Sequence, residues 1–221
     1  MLSIFIFLGE YIIMIITIDG LGVNGKSTLA KMIARKLNIQ NFNTGAIYRC
    51  IALKIIKNNM DINNITSVIE KVKNISIFFD NEKTYLDGVD VSKDIRTEQI
   101  SIFSTKWATI AEIKNIVRTI QKEFIKKYDT VMEGRDIGTL IAPNADYKFY
   151  LYSDFETRVN RLWNEDKTKD ISTIRKELTI RDNLDINGGN FIKPENSIEI
   201  DTTNYSIEEV YNIMISKIII N

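Results

Sequence analysis

Eight consecutive residues, Gly20-Leu21-Gly22-Val23-Asn24-Gly25-Lys26-Ser27, fit the spacing G-x-x-x-x-G-K-[ST] and constrain the fold more than any other feature of the chain. Glycines let successive backbone N–H groups curl around a β-phosphate. A helix opening at Lys26 adds its positive end. The Lys26 ammonium then reaches the β- and γ-phosphates, and the Ser27 hydroxyl suits Mg²⁺. Such a cradle works only between a buried strand and a helix. Residues 14–18 supply an apolar run before it, and Leu29, Met32, Ile33 and Leu37 supply a helical stripe after it. Chance would produce the octet in roughly one chain per hundred of this length. Gly20, Leu21, Gly22, Val23, Asn24, Gly25, Lys26, Ser27 and Thr28 are therefore the candidate ATP-binding residues. The motif alone does not say where a γ-phosphate would go.

Composition closes off other chemistries. The 221 residues include no histidine, which excludes Ser-His-Asp triads, HExxH zinc sites and His-ligated haem. Cys50 is the single cysteine and is expected in the core, so no internal disulfide or thiolate cluster can form. Acids and bases balance at 29 each, so no global field favours a nucleic acid or an anionic membrane. A bound anion must be held by local geometry. Residues 1–18 are apolar, but Glu10 interrupts them, and neither a basic flank nor a cleavage site accompanies them. The expectation is a dispensable extension over residues 1–13, with Met14 as the functional start, and a cytoplasmic, monomeric protein.

Short apolar runs alternate with helical stripes, which predicts an α/β fold: a doubly wound parallel sheet of five strands flanked by helices. Strands are expected at residues 14–18, 130–133, 147–152 and 198–201, and a helix over 26–37. Ser153 with Glu156, and Ser206 with Glu209, carry the spacing of capping boxes. Ile65, Val68, Ile69 and Val72 form a helical stripe, and residues 75–79 and 85–91 flank the polar turn 80–83. Residues 65–100 therefore read as a small α+β insert packed on the core. A longer helix follows, with Ile110, Ile113, Val117, Ile120 and Phe124 on one face.

Four further segments narrow the function. They are Thr44-Gly45-Ala46-Ile47-Tyr48-Arg49, Asp94-Ile95-Arg96-Thr97, Glu133-Gly134-Arg135-Asp136-Ile137-Gly138-Thr139 and Arg181-Asp182-Asn183-Leu184-Asp185. In order and spacing they resemble the bacterial cytidylate kinases from about residue 14 to the end. The resemblance implies transfer of the γ-phosphate of ATP to CMP and dCMP, with Mg²⁺ and no covalent intermediate. It implies catalytic roles for Lys26, Arg135, Arg158 and Arg161, the last two on a lid over about residues 158–175. It assigns the acceptor phosphate to Arg49 and Arg135, with Thr44 beside them, the cytosine amino edge to Asp136, and the sugar and phosphates to Asp185 and Arg181. Glu133 joins Ser27 near the metal, through water. The insert over 65–100 is implied to bind the acceptor nucleotide. A kinase for UMP or another small phosphate, and a non-catalytic ATP-binding relative, are the alternatives.

Two departures bear on specificity. At the family's base-reading positions this chain carries Thr105 and Lys114, and an ammonium lacks the planar fork of an arginine. Losing one directed contact costs about 1–3 kcal/mol, so weaker discrimination of CMP from UMP is expected. Arg118, one helical turn on, is the candidate substitute. Gly188-Gly189 stands where the family commonly carries an arginine, which predicts a looser acceptor site.

Overall fold

The computed structural model describes residues 13–80, 83–188 and 191–219; the expected extension over 1–13 falls almost wholly outside them, as does Gly189. The elements run β1 (Ile15–Asp19), α1 (Lys26–Leu37), β2 (Gln40–Asn43), α2 (Thr44–Lys57), α3 (Ile65–Val72), β3 (Ile77–Asp80), β4 (Lys83–Leu86), β5 (Val89–Asp90), α4 (Glu98–Trp107), α5 (Ala111–Ile125), β6 (Thr130–Gly134), β7 (Tyr147–Tyr152), α6 (Phe155–Glu165), α7 (Ile171–Asn187), β8 (Ile198–Asp201) and α8 (Ile207–Ile219).

Five parallel strands form the main sheet in the order β2-β6-β1-β7-β8. Side chains alternate across it, so neighbours on one strand enter different cores. Val131 packs with Ile16, Ile18, Leu29, Phe149 and Met214 beneath α1 and α8, whereas Met132 packs with Phe42, Ile47, Ile51 and Ile113 beneath α2 and α5. Both faces are covered, as a doubly wound sheet requires. Cys50 is fully buried in the second core, and burial pushes its thiol up to about 12. No helix among the described residues is long and apolar enough to cross a membrane.

Three expectations are corrected or completed. The unplaced fifth strand is β2, whose only buried residue is Phe42. The hairpin is a three-stranded antiparallel sheet, because Asp87 (φ 49°) and Gly88 (φ 83°) make a second tight turn between β4 and β5. The Ser153–Glu156 capping box does not form. Asp154 caps α6 by accepting from the Thr157 N–H at 2.7 Å, while the Ser153 hydroxyl donates to Asn24 Oδ1 and Glu156 pairs with Arg175. The Ser206–Glu209 box does form. Val68, Val72, Phe79, Leu86 and Ile95 of the 65–100 segment join the α2–α5 core, so the segment shares its apolar contacts with the main body.

Candidate active site

The carboxyl ends of β1 and β6 open onto a cleft of about 1460 Å³, at the edge where α/β sheets bind ligands. The loop after β1 forms one wall. Gly20 (φ 147°) approaches the main chain so closely that a Cβ would lie 2.1 Å from the Leu151 carbonyl oxygen. Gly25 (φ 75°) turns the chain into α1. Between them Val23 has φ 67°, costly for a β-branched residue, and is held by packing against the Val159, Ile174 and Leu178 cluster. Asn24 staples the loop, donating to the carbonyls of Leu21 and Leu151.

Lys26 is buried and donates to the Leu21 carbonyl at 2.6 Å. Burial first, then the nearby Arg135, pulls its pKa down to about 7. The Ser27 hydroxyl donates to Glu133 Oε1 at 3.1 Å, so two oxygen donors from different elements meet at the cleft wall. Arg158 and Arg161 line neither this cleft nor its side pocket among the described residues. Arg158 makes a buried two-bond pair with Asp182 (3.0 and 2.7 Å) and donates to the Gly22 carbonyl. Arg161 donates to the carbonyls of Val23 and Thr202. The expected lid arginines thus hold the glycine loop by its carbonyls.

The opposite wall is assembled from dispersed side chains. Thr44 and Arg49 come from α2, Arg135 from directly after β6, Arg181 and Asp185 from one face of α7, while Asp136, next to Arg135, turns to a side pocket. Arg135 Nε donates to Asp185 Oδ2 at 2.7 Å. Arg181 lines the cleft and reaches across it to the glycine loop, its guanidinium carbon 3.3 Å from where a Cβ on Gly22 would sit. The protein around it, then Arg135, lowers its pKa. Arg49 is lowered likewise, by burial and then by Arg96. Lys26, Arg49, Arg135 and Arg181, from α1, α2, the end of β6 and α7, therefore line one cleft, and after burial a neighbouring arginine lowers the pKa of Lys26, Arg49 and Arg181. Such an arrangement is relieved by a polyanion.

Beside the cleft lies a pocket of about 120 Å³ lined by Lys114, Arg118, Gln121 and Asp136, with Thr44, Tyr48, Ala108, Arg135 and Asp185 shared with the cleft. Burial raises the Asp136 pKa against the lowering effect of Arg118. Thr105 lines the cleft and not this pocket; its hydroxyl donates to the Ile102 carbonyl on its own helix. Gln121 Nε2 donates to Thr44 Oγ1 at 2.9 Å.

Sequence reasoning passed over Asp19, Asp182, Gln121 and Tyr48. Asp19 is fully buried and its two oxygens accept from the N–H groups of Ile137 (2.8 Å) and Gly138 (2.7 Å), which fixes the loop carrying Arg135 and Asp136 to the strand that feeds the glycine loop. Burial raises its carboxyl to about 6. The available signal was an acid ending an otherwise apolar strand.

The sequence profile of the family described as Cytidylate kinase matches residues 16–219. A cytidylate kinase of Clostridium tetani (strain Massachusetts / E88) is 37% identical over 211 residues, covering 93% of each chain. One from Alkaliphilus oremlandii (strain OhILAs) is 39% identical over 201 residues, covering 88% of this chain and 93% of the other. Among solved structures, a shikimate kinase from Bacteroides thetaiotaomicron superposes with a TM-score of 0.51 at 12% identity, covering 93% of this chain and 98% of that one, a likeness of fold alone.

Proposed function

Because the chain belongs to the cytidylate kinase family, we propose that the cleft moves the γ-phosphate of ATP onto CMP and dCMP, giving ADP and CDP or dCDP. The observation that carries this reading is the convergence of Lys26 with Arg135 and Arg181 on one cleft, where burial first, and then the charges of those two arginines, lower the Lys26 pKa to about 7. Two nucleotide phosphates meeting there would reverse that penalty.

In this reading the glycine loop, residues 20–28, binds the donor phosphates through backbone N–H groups, and Lys26 follows the γ-phosphate through transfer. Thr44, Arg49, Arg135 and Arg181 hold the acceptor phosphate in line, and Asp185 takes the sugar hydroxyls when Arg135 turns to phosphate. The acceptor is already an anion at neutral pH, so no general base is needed and the lack of histidine is no handicap. Ser27 and Glu133 are oxygen donors 3.1 Å apart, a pairing that suits Mg²⁺, which keeps most of its ligands as water and phosphate. Bound there, Mg²⁺ would offset the negative charge of the donor phosphates. Arg158 and Arg161 act as braces behind the loop, because freeing Arg158 would strand a buried Asp182.

The same reading has the enzyme acting on small molecules alone, as a cytoplasmic monomer with no nucleic-acid or membrane partner; equal numbers of acids and bases support the last point, since they leave no global field for a polyanion. An ADP-release assay with CMP, dCMP, UMP and AMP tests the central claim. Turnover is expected with CMP and dCMP, lost on chelating Mg²⁺. Turnover with AMP alone, or with none of the four, would overturn it.

A further inference from the structure

Lys114 and Arg118 lie one turn apart on α5, and both reach the small side pocket, yet they face different partners. The Lys114 ammonium points to the Gly188 carbonyl, 3.5 Å away at the end of α7. Arg118 Nη2 lies 3.4 Å from Asp136 Oδ2. That contact is long and single, so most of the guanidinium's five N–H donors are not committed to Asp136, on a side chain that lines the pocket.

From this juxtaposition we infer that Arg118, and not Lys114, is the cation that reads the base of the acceptor nucleotide, working as one unit with Asp136. The inference rests on the proposed phosphorylation of CMP. The chemistry follows from the edge of the ring. Cytosine carries an amino donor at N4 beside acceptors at N3 and O2, and it meets a carboxylate beside a guanidinium. Uracil exchanges the first two: O4 would face the Asp136 carboxylate and N3–H would face the Arg118 donors. Both contacts turn repulsive. A lysine at the mouth could add charge but not this side-by-side pattern.

The size of the pocket agrees. Cavities of about 150 Å³ take a benzene ring, so the roughly 120 Å³ here suits a single ring and not a fused pair. Lys114 has a different part. Its long, exposed contact with the Gly188 carbonyl sets its charge just past the end of the helix that carries Arg181 and Asp185, where it favours the sugar and phosphate side of any nucleotide alike. The weaker discrimination expected from Lys114 is thereby made good one turn further along α5.

The test is the ratio of kcat/KM for CMP to that for UMP, a quantity independent of how much enzyme is active, in wild type, Arg118→Met, Arg118→Lys and Lys114→Met. Arg118→Met is expected to lower the ratio about 10- to 100-fold, the size expected when one hydrogen bond to a charged group is lost. Arg118→Lys should recover only part of it. Lys114→Met should keep the ratio within about threefold while raising KM for both nucleotides together. If wild type phosphorylates neither pyrimidine nucleotide, the functional reading fails and this inference with it. If wild type is active but Arg118→Met keeps the wild-type ratio, or Lys114→Met collapses it, the assignment of base reading to Arg118 alone is overturned. Should Arg118→Met prove insoluble, Arg118→Lys decides: an unchanged ratio counts against the inference and a fall of several-fold supports it.

Discussion

The two walls of the cleft are held in different ways, and α7 displays both within one turn. On the glycine-loop side Asp182 grips Arg158 with two bonds, and the pair is almost wholly out of water (6% and 11% exposed). Three residues on, Asp185 holds Arg135 by one bond to Nε, and both are about one-fifth exposed on the cleft surface. The first wall is one short stretch of backbone, braced from behind by fixed cations. The second is a set of side chains gathered from α2, β6 and α7, in pairs open enough to exchange partners. In the proposed reading the first wall holds the donor phosphates, for which a rigid cradle is enough. An acceptor that must be chosen by its base and sugar needs groups that can let go.

Breaking the sealed pair should have the largest effect. Arg158→Met leaves Asp182 buried and unpaired, and is expected to cost about 3–5 kcal/mol in urea unfolding. The double change Arg158→Met with Asp182→Leu should regain most of this. Arg135→Met breaks the open pair, and should change stability by no more than about 1 kcal/mol while abolishing turnover. Equal losses of stability from the two single changes would erase the contrast. Next in size, Lys26→Ala should lower kcat about 10²–10³-fold, with the CMP-to-UMP ratio unmoved, because the donor wall has no part in choosing the base.

Asp19 sharpens the comparison further, since it joins the walls by tying the end of β1 to the loop after β6. Asp19→Asn offers one acceptor to two buried N–H groups and is expected to cost about 1–3 kcal/mol at neutral pH. The sign of its pH dependence is set by burial. The folded carboxyl titrates at about 6 and the unfolded one at 3.8, so the folded state binds more protons between these values. Wild-type stability should therefore gain a contribution from Asp19 at low pH and lose it as pH rises through about 4 to 6. The Asn variant should lack that component in denaturation curves taken across the window.

The difference between the walls also governs what the sequence discloses. The glycine loop is legible because its eight residues are contiguous and each type is dictated by local backbone geometry. Strands β1, β6 and β7 are legible as largely apolar runs, and β8 as an alternation of Ile198 and Ile200 with Glu199 and Asp201. Strand β2 is not, since Gln40, Asn41 and Asn43 say nothing of a strand, and only parallel pairing to β6 holds them extended. Ser153 and Asp154 both suit a helix cap. The choice falls to Asp154 because the Ser153 hydroxyl is drawn to Asn24, 129 residues away in sequence. Asp19 escapes for the same reason, its partners lying 118 and 119 residues on. The arginines of the second wall stood out only through resemblance to a family, which named Lys114 for the base, while the contact of its ammonium with the Gly188 carbonyl at 3.5 Å is set by folding and not by any sequence pattern.

The smallest effect separates the walls by their protons. Lys26 titrates at about 7 in the free protein, because it is buried and because Arg135 stands near it. At about pH 8 most molecules then carry it neutral. Donor phosphates arriving beside it favour the ammonium and raise its pKa, so ATP should bind with uptake of somewhat less than one proton. MgATP itself is fully ionised at that pH and contributes little. Calorimetric titrations in two buffers of different ionisation enthalpy measure the uptake directly. It should shrink toward zero as pH falls to about 5.5, where the lysine is already charged, and should vanish in Lys26→Arg, whose guanidinium stays charged throughout. CMP, if it lies on the other wall beyond contact with Lys26, should take up a smaller fraction when it binds alone. Equal uptake for the two nucleotides would mean that Lys26 serves both walls rather than the donor side.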